Sequence, residues 1–332
     1  MPKYSVIIPV YNRIDEVDDL LKSLSQQTFA DFEVIIVEDG SSQPCDGVVK
    51  RYADSVDVKY FYKSNEGRSI ARNYGMDRAS GEYFIFFDSD CVIPPGYFEH
   101  LDKALGERPL DCFGGPDAAH DSFTPTQKAI NHSMTSFLTT GGIRGGKISL
   151  EKFTPRTFNM GYSRKVYERI GGFREMFSED IDMSTRIRNA GFSIGLIHDA
   201  PVYHKRRVDF RKFMRQVYVF GMSRITLYLL YPDSLKLVHW LPAVAVAGGI
   251  TLFLLGILVS PWFLLPLALY LLAIWVAALV STHSVKIATL AVPASIIQLG
   301  GYGCGFLKAY TTKILLGRGR NIAEEIDMRR GK

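Results

Sequence analysis

The segment KSNEGRSIARNYGMDRASGEYFIFFDSD, residues 63–90, decides the fold of this 332-residue chain. Its second half contains an apolar run over 83–87 that stops at Asp88-Ser89-Asp90. Such a run is typical of a buried parallel strand, and open α/β sheets bind ligands at the carboxyl ends of their strands. Two carboxylates at this position offer hard oxygen ligands to Mg²⁺ or Mn²⁺ and leave coordination positions free for phosphate oxygens.

The first half of the segment carries side chains that suit a phosphate-bearing substrate. Arg68, Arg72 and Asn73 can bind phosphate and ribose oxygens. A substrate whose phosphates bridge to a metal held by Asp88 and Asp90 is therefore the economical interpretation. The alternative is an acidic turn beside solvated arginines. Taken alone, the Asp88-Ser89-Asp90 triplet favours this alternative. The motifs elsewhere in the chain favour the metal site.

Strand-like and helix-like segments alternate through the first two thirds of the chain. Apolar β-rich runs predict strands, and apolar residues at helical spacing predict helices. The predicted strands cover 4–10, 32–37, 58–62, 83–87 and 192–198, and the predicted helices cover 15–25, 47–52, 68–79 and 181–190. This alternation predicts an α/β fold with a mostly parallel, doubly wound sheet. The polar span 117–152 predicts either an ordered insertion or a mobile lid.

The distribution of charge changes sharply in the last third of the chain. Asp, Glu, Lys and Arg are all absent from 237–285, and a second uncharged run covers 287–307. The net charge of +5 is modest and does not call for nucleic acid as a partner. Much of the positive excess lies directly ahead of the apolar region, where it suits an anionic membrane surface.

Two apolar spans, over 238–259 and 262–281, are each long enough to cross a bilayer, and Ser260-Pro261 joins them in a tight hairpin. The third run, over 287–307, is glycine-rich and has positive charge at both ends. The positive-inside rule fits poorly with a third crossing. This run therefore either crosses against the rule, or is re-entrant or bundled with both ends on the cytosolic side.

A basic, aromatic stretch, HKRRVDFRKFMRQVYVFGMSR (204–224), precedes these spans. Its apolar residues fall near helical spacing, which is typical of a helix lying in a membrane interface. An ordinary amphipathic helix on the soluble domain is the alternative.

We expect an α/β domain over 1–204, a basic interfacial segment over 205–235, a membrane region over 236–313 and a charged tail over 314–332.

The cysteines and the N-terminus bear on the cellular compartment. The four cysteines show no CxxC spacing and no disulfide framework, and MPKYSVIIPVYN at the start lacks the long apolar core of a signal peptide. The simplest expectation is a reduced catalytic domain that faces the cytosol and is attached to the inner membrane by its C-terminal end.

Five motifs, in this order, resemble those of the family 2 inverting glycosyltransferases with a GT-A fold. They are SVIIPVYNR (5–13), VEDGSS (37–42), the ARN to FFDSD block (71–90), IGGFRE (170–175) and SEDIDMSTRIRNAG (178–191). The resemblance covers about Tyr4 to His204. It implies a nucleotide-diphosphate sugar donor, with UDP-sugars favoured, a divalent metal (Mg²⁺ or Mn²⁺) and a single displacement at the anomeric carbon.

The resemblance also implies a donor site and a metal site. Asp39 would lie near the base of the nucleotide, and Asp88 and Asp90 would form the DXD element, with Asp90 the better metal ligand. His204 would be a further ligand of the metal or diphosphate, or a structural histidine. The residues expected to bind the donor are Pro9, Tyr11, Asn12, Asp39, Arg68, Arg72, Asn73, Asp88 and Ser89.

The acceptor side is expected to contain the catalytic base. By the resemblance, Asp180 matches the catalytic base of the family in its ED pair. A base is needed because an acceptor hydroxyl must lose a proton as it attacks. Asp180 could instead cap the helix that follows it. Asn159 and Glu179 are candidates to face the acceptor, and the alternatives are a loop-stabilising role for Asn159 and a helix-terminal role for Glu179.

These expectations describe an enzyme that moves one sugar to a hydroxyl of a membrane-held, lipid-linked acceptor in glycan or glycolipid assembly. The stretch RQVYVFGMSR lacks the tryptophan of the QxxRW element of processive members, so single transfer is expected rather than processive synthesis.

The nearest alternative function is that of a polyprenyl-phosphate glycosyltransferase, whose acceptor needs no base. A GT-A-like nucleotidyltransferase is disfavoured because PVYNR replaces a GxGTR turn. A non-catalytic membrane protein with a degenerate domain is disfavoured because the acidic motifs are intact.

Overall fold

The computed structural model describes residues 1–118, 123–141, 153–204 and 209–330. The chain forms two compact units, of which the first comprises 1–120, 152–205 and 326–332 and the second comprises 121–151 and 206–325. The sequence placed 121–151 in the α/β domain, and the structure instead groups it with the C-terminal helices.

The elements are numbered here in chain order. The strands are β1 (Tyr4–Val10), β2 (Phe32–Asp39), β3 (Val58–Lys63), β4 (Tyr83–Phe86), β5 (Cys91–Val92), β6 (Cys112–Gly114), β7 (Asp117–Ala118), β8 (Met160–Ser163), β9 (Ile194–Leu196) and β10 (Val202–His204). The helices are α1 (Ile14–Leu24), α2 (Asp46–Tyr52), α3 (Arg68–Met76), α4 (Tyr97–Glu107), α5 (Pro125–Thr135), α6 (Phe137–Thr140), α7 (Arg164–Ile170), α8 (Glu179–Asn189), α9 (Phe210–Leu230), α10 (Leu241–Leu258), α11 (Leu265–Thr282), α12 (Val285–Ala309) and α13 (Ile322–Arg330).

The first unit is built on a seven-stranded sheet with the strand order β3-β2-β1-β4-β8-β6-β9. Strands β1 and β2 are parallel and in register from Tyr4 opposite Phe32 to Val10 opposite Glu38. Only β8 among these seven strands runs antiparallel to its neighbours. The predicted α/β class with a mostly parallel sheet is therefore confirmed, and a small second sheet has the order β5-β10-β7.

Helices cover both faces of this sheet because alternate residues of its central strands point to opposite sides. Val6 and Ile8 belong to one apolar cluster, and Ile7, between them, belongs to the other. All three side chains are fully buried. Central strands that are apolar on both faces are what a doubly wound sheet requires.

Element boundaries differ from the prediction where functional residues lie. Strand β2 continues through Asp39, so this carboxylate stands at the end of the strand. Helix α8 begins at Glu179, and its N-cap is Ser178, which adopts a left-handed conformation with φ 67°. Asp180 therefore lies inside the first turn and does not cap the helix.

A buried carboxylate ties the central strands to the segment before β4. Glu33 is fully buried and accepts hydrogen bonds from the hydroxyl of Ser5 (2.6 Å) and the backbone N–H of Ser80 (2.6 Å), and it pairs with Lys59 Nζ (2.5 Å). Burial opposes ionisation of Glu33, but the bonds from Lys59, Ser5 and Ser80 outweigh burial and lower its pKa from 4.5 to about 2.

We expect the Glu33 carboxyl to make the stability of the fold depend on pH in the acid range. The pKa of Glu33 is lower in the folded protein than in the unfolded chain, so its ionised form stabilises the fold. This contribution to the free energy of unfolding is complete above pH 4.5 and is lost as the pH falls towards 2. It amounts to at most roughly 3 kcal/mol. Thermal melting followed by circular dichroism should therefore show a shallower loss of Tm with acid for Glu33→Gln than for the parent. Equal slopes for the two proteins would contradict the assignment.

The second unit is formed by helices. Its helices α10, α11 with the turn before it (Pro261–Thr282), and α12 with its continuation (Val285–Leu315) are long and apolar enough to span a membrane. The first two correspond to the predicted hairpin. The third is one continuous helix that contains Pro293 and continues as a π-helical turn over Tyr310–Leu315.

The described part of the 117–152 span within this unit, residues 123–141, is mainly helical, as an ordered insertion would be. Helix α5 begins with a capping box in which Thr124 and Gln127 bond reciprocally. Its Ala129 packs in a cluster with Ala288 and Ala291 of α12. Residues 119–122 and 142–152 lie outside the described residues, so the lid alternative is not tested there.

Helix α9, in the predicted interfacial segment, packs much of its apolar side against α12. Phe213 and Val217 are fully buried in a cluster with Ala294 of α12. A Cβ at Gly221 would lie 2.1 Å from the carbonyl oxygen of Tyr302, so this residue must be glycine for the helices to pack this closely. The predicted stripe on α9 is therefore largely covered by protein. Residues 205–208, the start of the basic segment, lie outside the described residues.

Candidate active site

The polar candidates of the first unit collect at the carboxyl end of the central strands. Asn12 follows β1, Asp39 ends β2 and Asp88 follows β4. These three strands are neighbours and parallel, so their carboxyl ends share one edge of the sheet. This edge is where open α/β sheets bind ligands.

Asp39 fixes the loop that leads from β3 into α3. Its carboxylate is buried and accepts hydrogen bonds from the backbone N–H groups of Glu66 (3.0 Å) and Gly67 (2.9 Å). Lys63 Nζ lies 2.9 Å from the same carboxylate. The three donors hold Asp39 in one orientation at the edge of the sheet.

Asn12 joins the loops that follow β1 and β2. Its side-chain oxygen accepts hydrogen bonds from the backbone N–H (2.9 Å) and the hydroxyl (3.0 Å) of Ser42, and its own N–H donates to Ser41 Oγ (2.7 Å). The φ angle of 53° at Asn12 is uncommon for a side chain larger than glycine, although asparagine tolerates it. Pro9 is half-buried, whereas the neighbouring Tyr11 leaves 53% of its surface exposed.

A chain of ion pairs links the acidic triplet to the first turn of α8. Arg72 is fully buried, and its two terminal nitrogens lie 2.7 Å from Asp88 Oδ1 and 3.0 Å from Glu179 Oε1. Arg68 Nη2 lies 2.8 Å from the other oxygen of Glu179. The guanidinium of Arg72 also lies 5.6 Å from the ring centre of Phe173. The two buried members, Arg72 and Glu179, each have two partners of opposite charge, so removing either one would weaken the pairing of the other and destabilise the cluster.

Glu179, a candidate to face the acceptor, belongs to this chain of ion pairs. Glu179 is 2% exposed, and both of its oxygens bind arginines that belong to the predicted donor site. The hydroxyl of Thr157 also lies 3.5 Å from Glu179 Oε1. The structure therefore places Glu179 as a buried support for Arg68 and Arg72.

Asn159 is likewise not placed to contact an acceptor. It is fully buried, and its side-chain oxygen accepts a hydrogen bond from the hydroxyl of Tyr97 (2.7 Å). Its side-chain nitrogen donates to the carbonyl of Ala200 (2.9 Å). Asn159 thus satisfies loop and helix groups, which was the alternative role.

Asn73, a predicted donor-binding residue, pairs with the backbone in this structure. Its amide nitrogen donates to the carbonyl of Phe173 (2.8 Å), and its amide oxygen accepts from the N–H of Phe173 (2.8 Å). The two residues are 100 positions apart. A Cβ at Gly172 would lie 2.3 Å from the Asn73 oxygen, which explains the glycine of the IGGFRE motif at this position.

Asp180 has a cationic partner that the sequence did not indicate. Arg156 Nη1 lies 3.1 Å from Asp180 Oδ2, and the Asp180 side chain is 15% exposed. The position of Asp180 in the first turn of α8 also favours a negative charge, because helix N-termini carry partial positive charge. Arg156 was missed because it lies 24 positions from Asp180 in a loop without a recognisable pattern.

The acidic triplet fits a divalent metal by the chemistry of its donors. Asp88 and Asp90 are half-buried on one turn, and their oxygens are the hard ligands that Mg²⁺ and Mn²⁺ prefer. Ser89 between them is buried. Strand β10 pairs with β5 so that His204 lies opposite Cys91, directly after the triplet. No group of three His, Cys, Asp or Glu residues within the described ranges could hold a metal alone.

The parallel sheet and the acidic edge define a GT-A-like α/β enzyme. A family model described as "Glycosyl transferase family 2" matches residues 5–171 of the chain. The chain therefore belongs to glycosyl transferase family 2.

Two relatives show how far the similarity in sequence extends. An "Uncharacterized glycosyltransferase" of Rickettsia bellii is 44% identical over 91 residues, which are 27% of this chain and 13% of that protein. The "GalNAc(5)-diNAcBac-PP-undecaprenol beta-1,3-glucosyltransferase" of Campylobacter jejuni is 36% identical over 117 residues, which are 34% of this chain and 38% of that protein. The chain thus spans well under half of the length of these two relatives.

A solved structure shows that the fold is shared over most of the chain. It is the mannosyltransferase PcManGT from Pyrobaculum calidifontis in complex with GDP-Man and Mn²⁺. The two chains superpose with a TM-score of 0.57 over 95% of this chain and 87% of the other. At 17% sequence identity this likeness establishes the fold and nothing further.

Proposed function

We propose that this glycosyltransferase moves one sugar, with inversion, from a nucleotide-diphosphate sugar to a hydroxyl of a lipid-linked acceptor at the cytosolic face of a membrane. The observation that carries this proposal is the chain of ion pairs from Arg68 through Glu179 and Arg72 to Asp88. It joins the predicted diphosphate site to the residue next to Asp180. Asp88, on the side of the nucleotide sugar, and Asp180, the candidate base, are thereby brought to the two ends of one group of residues.

On the donor side, the exposed ring of Tyr11 can stack on a base beside Asp39, and Arg68 can reach a diphosphate because nearly half of its side chain is exposed. Asp90 and Asp88 would hold the divalent ion. When bound, such an ion neutralises negative charge on the leaving diphosphate. The similar mannosyltransferase from Pyrobaculum calidifontis is in complex with a nucleotide-diphosphate sugar and Mn²⁺.

On the acceptor side, Asp180 would accept the proton of the attacking hydroxyl. The hydroxyl oxygen forms a bond to the anomeric carbon while the bond from that carbon to the diphosphate oxygen breaks. The electron pair of the broken bond leaves with the diphosphate, and the proton ends on Asp180. One carboxylate suffices for a single displacement, and Arg156 holds that carboxylate in place.

The apolar helices of the second unit favour an acceptor held in a membrane. The name of the relative from Campylobacter jejuni describes an acceptor linked to undecaprenol through a diphosphate. The cytosolic face is favoured because positive charges flank the apolar helices, and such charges are retained on that side.

The proposal is tested with purified protein in detergent by supplying UDP-, GDP- and dTDP-sugars in turn, with Mg²⁺ or Mn²⁺. We expect release of one nucleoside diphosphate, UDP being the favoured one, that stops when a chelator removes the metal. Without an acceptor, this release is hydrolysis of the nucleotide sugar by water and should be slow. When a membrane lipid extract is added, the sugar should instead be transferred to lipid. Failure of every nucleotide sugar to bind or react would contradict the proposal.

A further inference from the structure

Helix α12 differs from the other two long apolar helices in how it meets its surroundings. In α10 and in Pro261–Thr282, 11% of the residues of the apolar window are buried, whereas 44% are buried in Val285–Leu315. A helix whose whole circumference faces lipid should have little of its surface covered by protein. Helix α12 is instead a helix with a protein-covered side and an open side.

The large exposed apolar residues of α12 lie along one line of the helix. Its large exposed apolar residues, Val285 (62% exposed), Ile296 (52%) and Leu307 (41%), recur every eleven residues, which is about three helical turns. On α10, Val244 (61%) and Phe253 (51%) are exposed nine residues apart, about two and a half turns, so they point in opposite directions. Helix α10 therefore exposes large apolar side chains on opposite sides, although its Ala243 and Gly256 are buried. The large exposed apolar side chains of α12 lie along one line.

Helix α9 covers α12 over much of its length. A Cβ at Gly301 would lie 2.4 Å from a methyl group of Val217, and a Cβ at Gly305 would lie 2.0 Å from the carbonyl oxygen of Tyr218. Such distances require glycine on α12 because the two backbones approach closely. The two helices therefore form one tightly packed pair and must lie at the same depth.

The free side of α9 is strongly basic at the level of the middle of α12. Arg211, Lys212 and Arg215 are exposed and flank Phe213, which packs against Ala294. If α12 crossed the bilayer, these three cations would lie within the hydrocarbon. A cation at the centre of a membrane-spanning helix costs roughly 2.5–3.5 kcal/mol on insertion scales. Lys212 has an anionic partner, because its Nζ lies 3.5 Å from Asp209 Oδ2. An ion pair together with the two arginines would still be costly to place in hydrocarbon.

Positive charge also stands at both ends of α12. Lys286 lies in its first turn, and at the other end Lys308 Nζ is 5.7 Å from the ring centre of Tyr218. Lys313 Nζ donates a hydrogen bond to Thr226 Oγ1 of α9 (2.6 Å). The positive-inside rule places an excess of such residues on the cytoplasmic side, so positive charge at both ends of α12 favours both ends lying on that side.

We propose that only α10 and α11 cross the membrane, and that α9 and α12 lie together along an anionic bilayer surface with both ends of α12 on one side. The line through Val285, Ile296 and Leu307 enters the boundary between head groups and acyl chains, and the cations of α9 contact lipid phosphates. This inference does not depend on the chemistry of sugar transfer. It makes the α9–α12 pair the membrane-binding surface of the chain.

The test is the accessibility of single cysteines in sealed vesicles that contain the full chain. Cys304 is replaced by serine, and the buried Cys45, Cys91 and Cys112 are retained. Cysteines are then placed at Ser260, Lys286 and Arg320 in separate variants. A membrane-impermeant maleimide should label Lys286→Cys and Arg320→Cys from the same side and Ser260→Cys from the other. Labelling of Lys286→Cys and Arg320→Cys from opposite sides would overturn the proposal.

A depth measurement gives an independent result with a matched control. A fluorophore on Ile296→Cys, on the line of α12, is compared with the same fluorophore on Ile250→Cys, which is 56% exposed near the middle of α10. Lipids brominated near the head group should quench the Ile296 probe more strongly, and lipids brominated deep in the chains should quench the Ile250 probe more strongly. Equal deep quenching of the two probes would place α12 across the bilayer and reject the proposal.

Discussion

Replacing Asp180 by asparagine is expected to lower the rate of sugar transfer by about 10²–10⁴-fold, the usual contribution of a general base. Donor affinity should stay within about threefold of the parent, because a group that serves only the attacking hydroxyl stabilises the transition state and not the bound donor. Asparagine keeps the shape of the side chain and can still lie beside Arg156, which is 3.1 Å from the carboxylate. Steady-state transfer and calorimetric donor binding measure the two quantities separately.

Arg156 provides the matched control for this prediction. Arg156→Gln removes the cation beside Asp180 but leaves the base, so a smaller loss of transfer rate with unchanged donor affinity is expected. Arg156→Lys should restore part of the rate if charge near Asp180 is what matters. Near-normal transfer by a folded Asp180→Asn protein would refute the base assignment. It would favour the polyprenyl-phosphate alternative, because a phosphate acceptor arrives already ionised and needs no base.

The strands and helices of the sheet could be predicted because their signals are local. Strand β1 was predicted at its observed bounds, since its apolar residues run without interruption to the turn at Tyr11 and Asn12. Strand β9 is shorter than predicted, because only Ile194–Leu196 finds a partner strand, and Phe192 and His198 at the ends of the apolar run lie outside it. Pairing depends on a neighbour elsewhere in the chain, and a local pattern does not contain that information.

The candidate site was predicted less completely because side-chain roles are decided by distant partners. Asn73 and Glu179 have polar groups that suit a ligand, yet their partners, Phe173 and Arg72, lie 100 and 107 positions away. An amide or carboxylate that supports a site has the same local signature as one that binds a substrate. Only its burial and its hydrogen bonds distinguish the two roles, and both require the fold.

The position of α5 could not be predicted for a related reason. Its sequence, PTQKAINHSMT, is neither strongly apolar nor strongly periodic. Its buried apolar residues are Ala129, Ile130 and Met134. They find partners only in the fold, because α12 presents small residues against which a short helix can pack. The composition of one segment does not show what another segment offers it.

Asp90→Asn is expected to abolish metal-dependent donor binding, with a loss of affinity of roughly 10²-fold or more, while the domain remains folded. The reason is that the substitution would remove one of the two carboxylates proposed to hold the metal, and no group of three His, Cys, Asp or Glu residues stands there among the described residues. Calorimetric titration of the donor with and without Mn²⁺ measures the effect directly. Without metal, the parent and the variant should bind the donor equally weakly.

Asp90 is a sharper test of the metal site than Asp88. Asp88 also balances the buried Arg72, so Asp88→Asn would combine loss of a ligand with destabilisation of the ion-pair chain. Asp54→Asn, at an exposed position after α2, removes the same charge away from the site and serves as the matched control. If Asp90→Asn bound the donor as tightly as Asp54→Asn does in the presence of Mn²⁺, the acidic triplet would have no part in holding the diphosphate, and Arg68 and Arg72 would have to hold it alone.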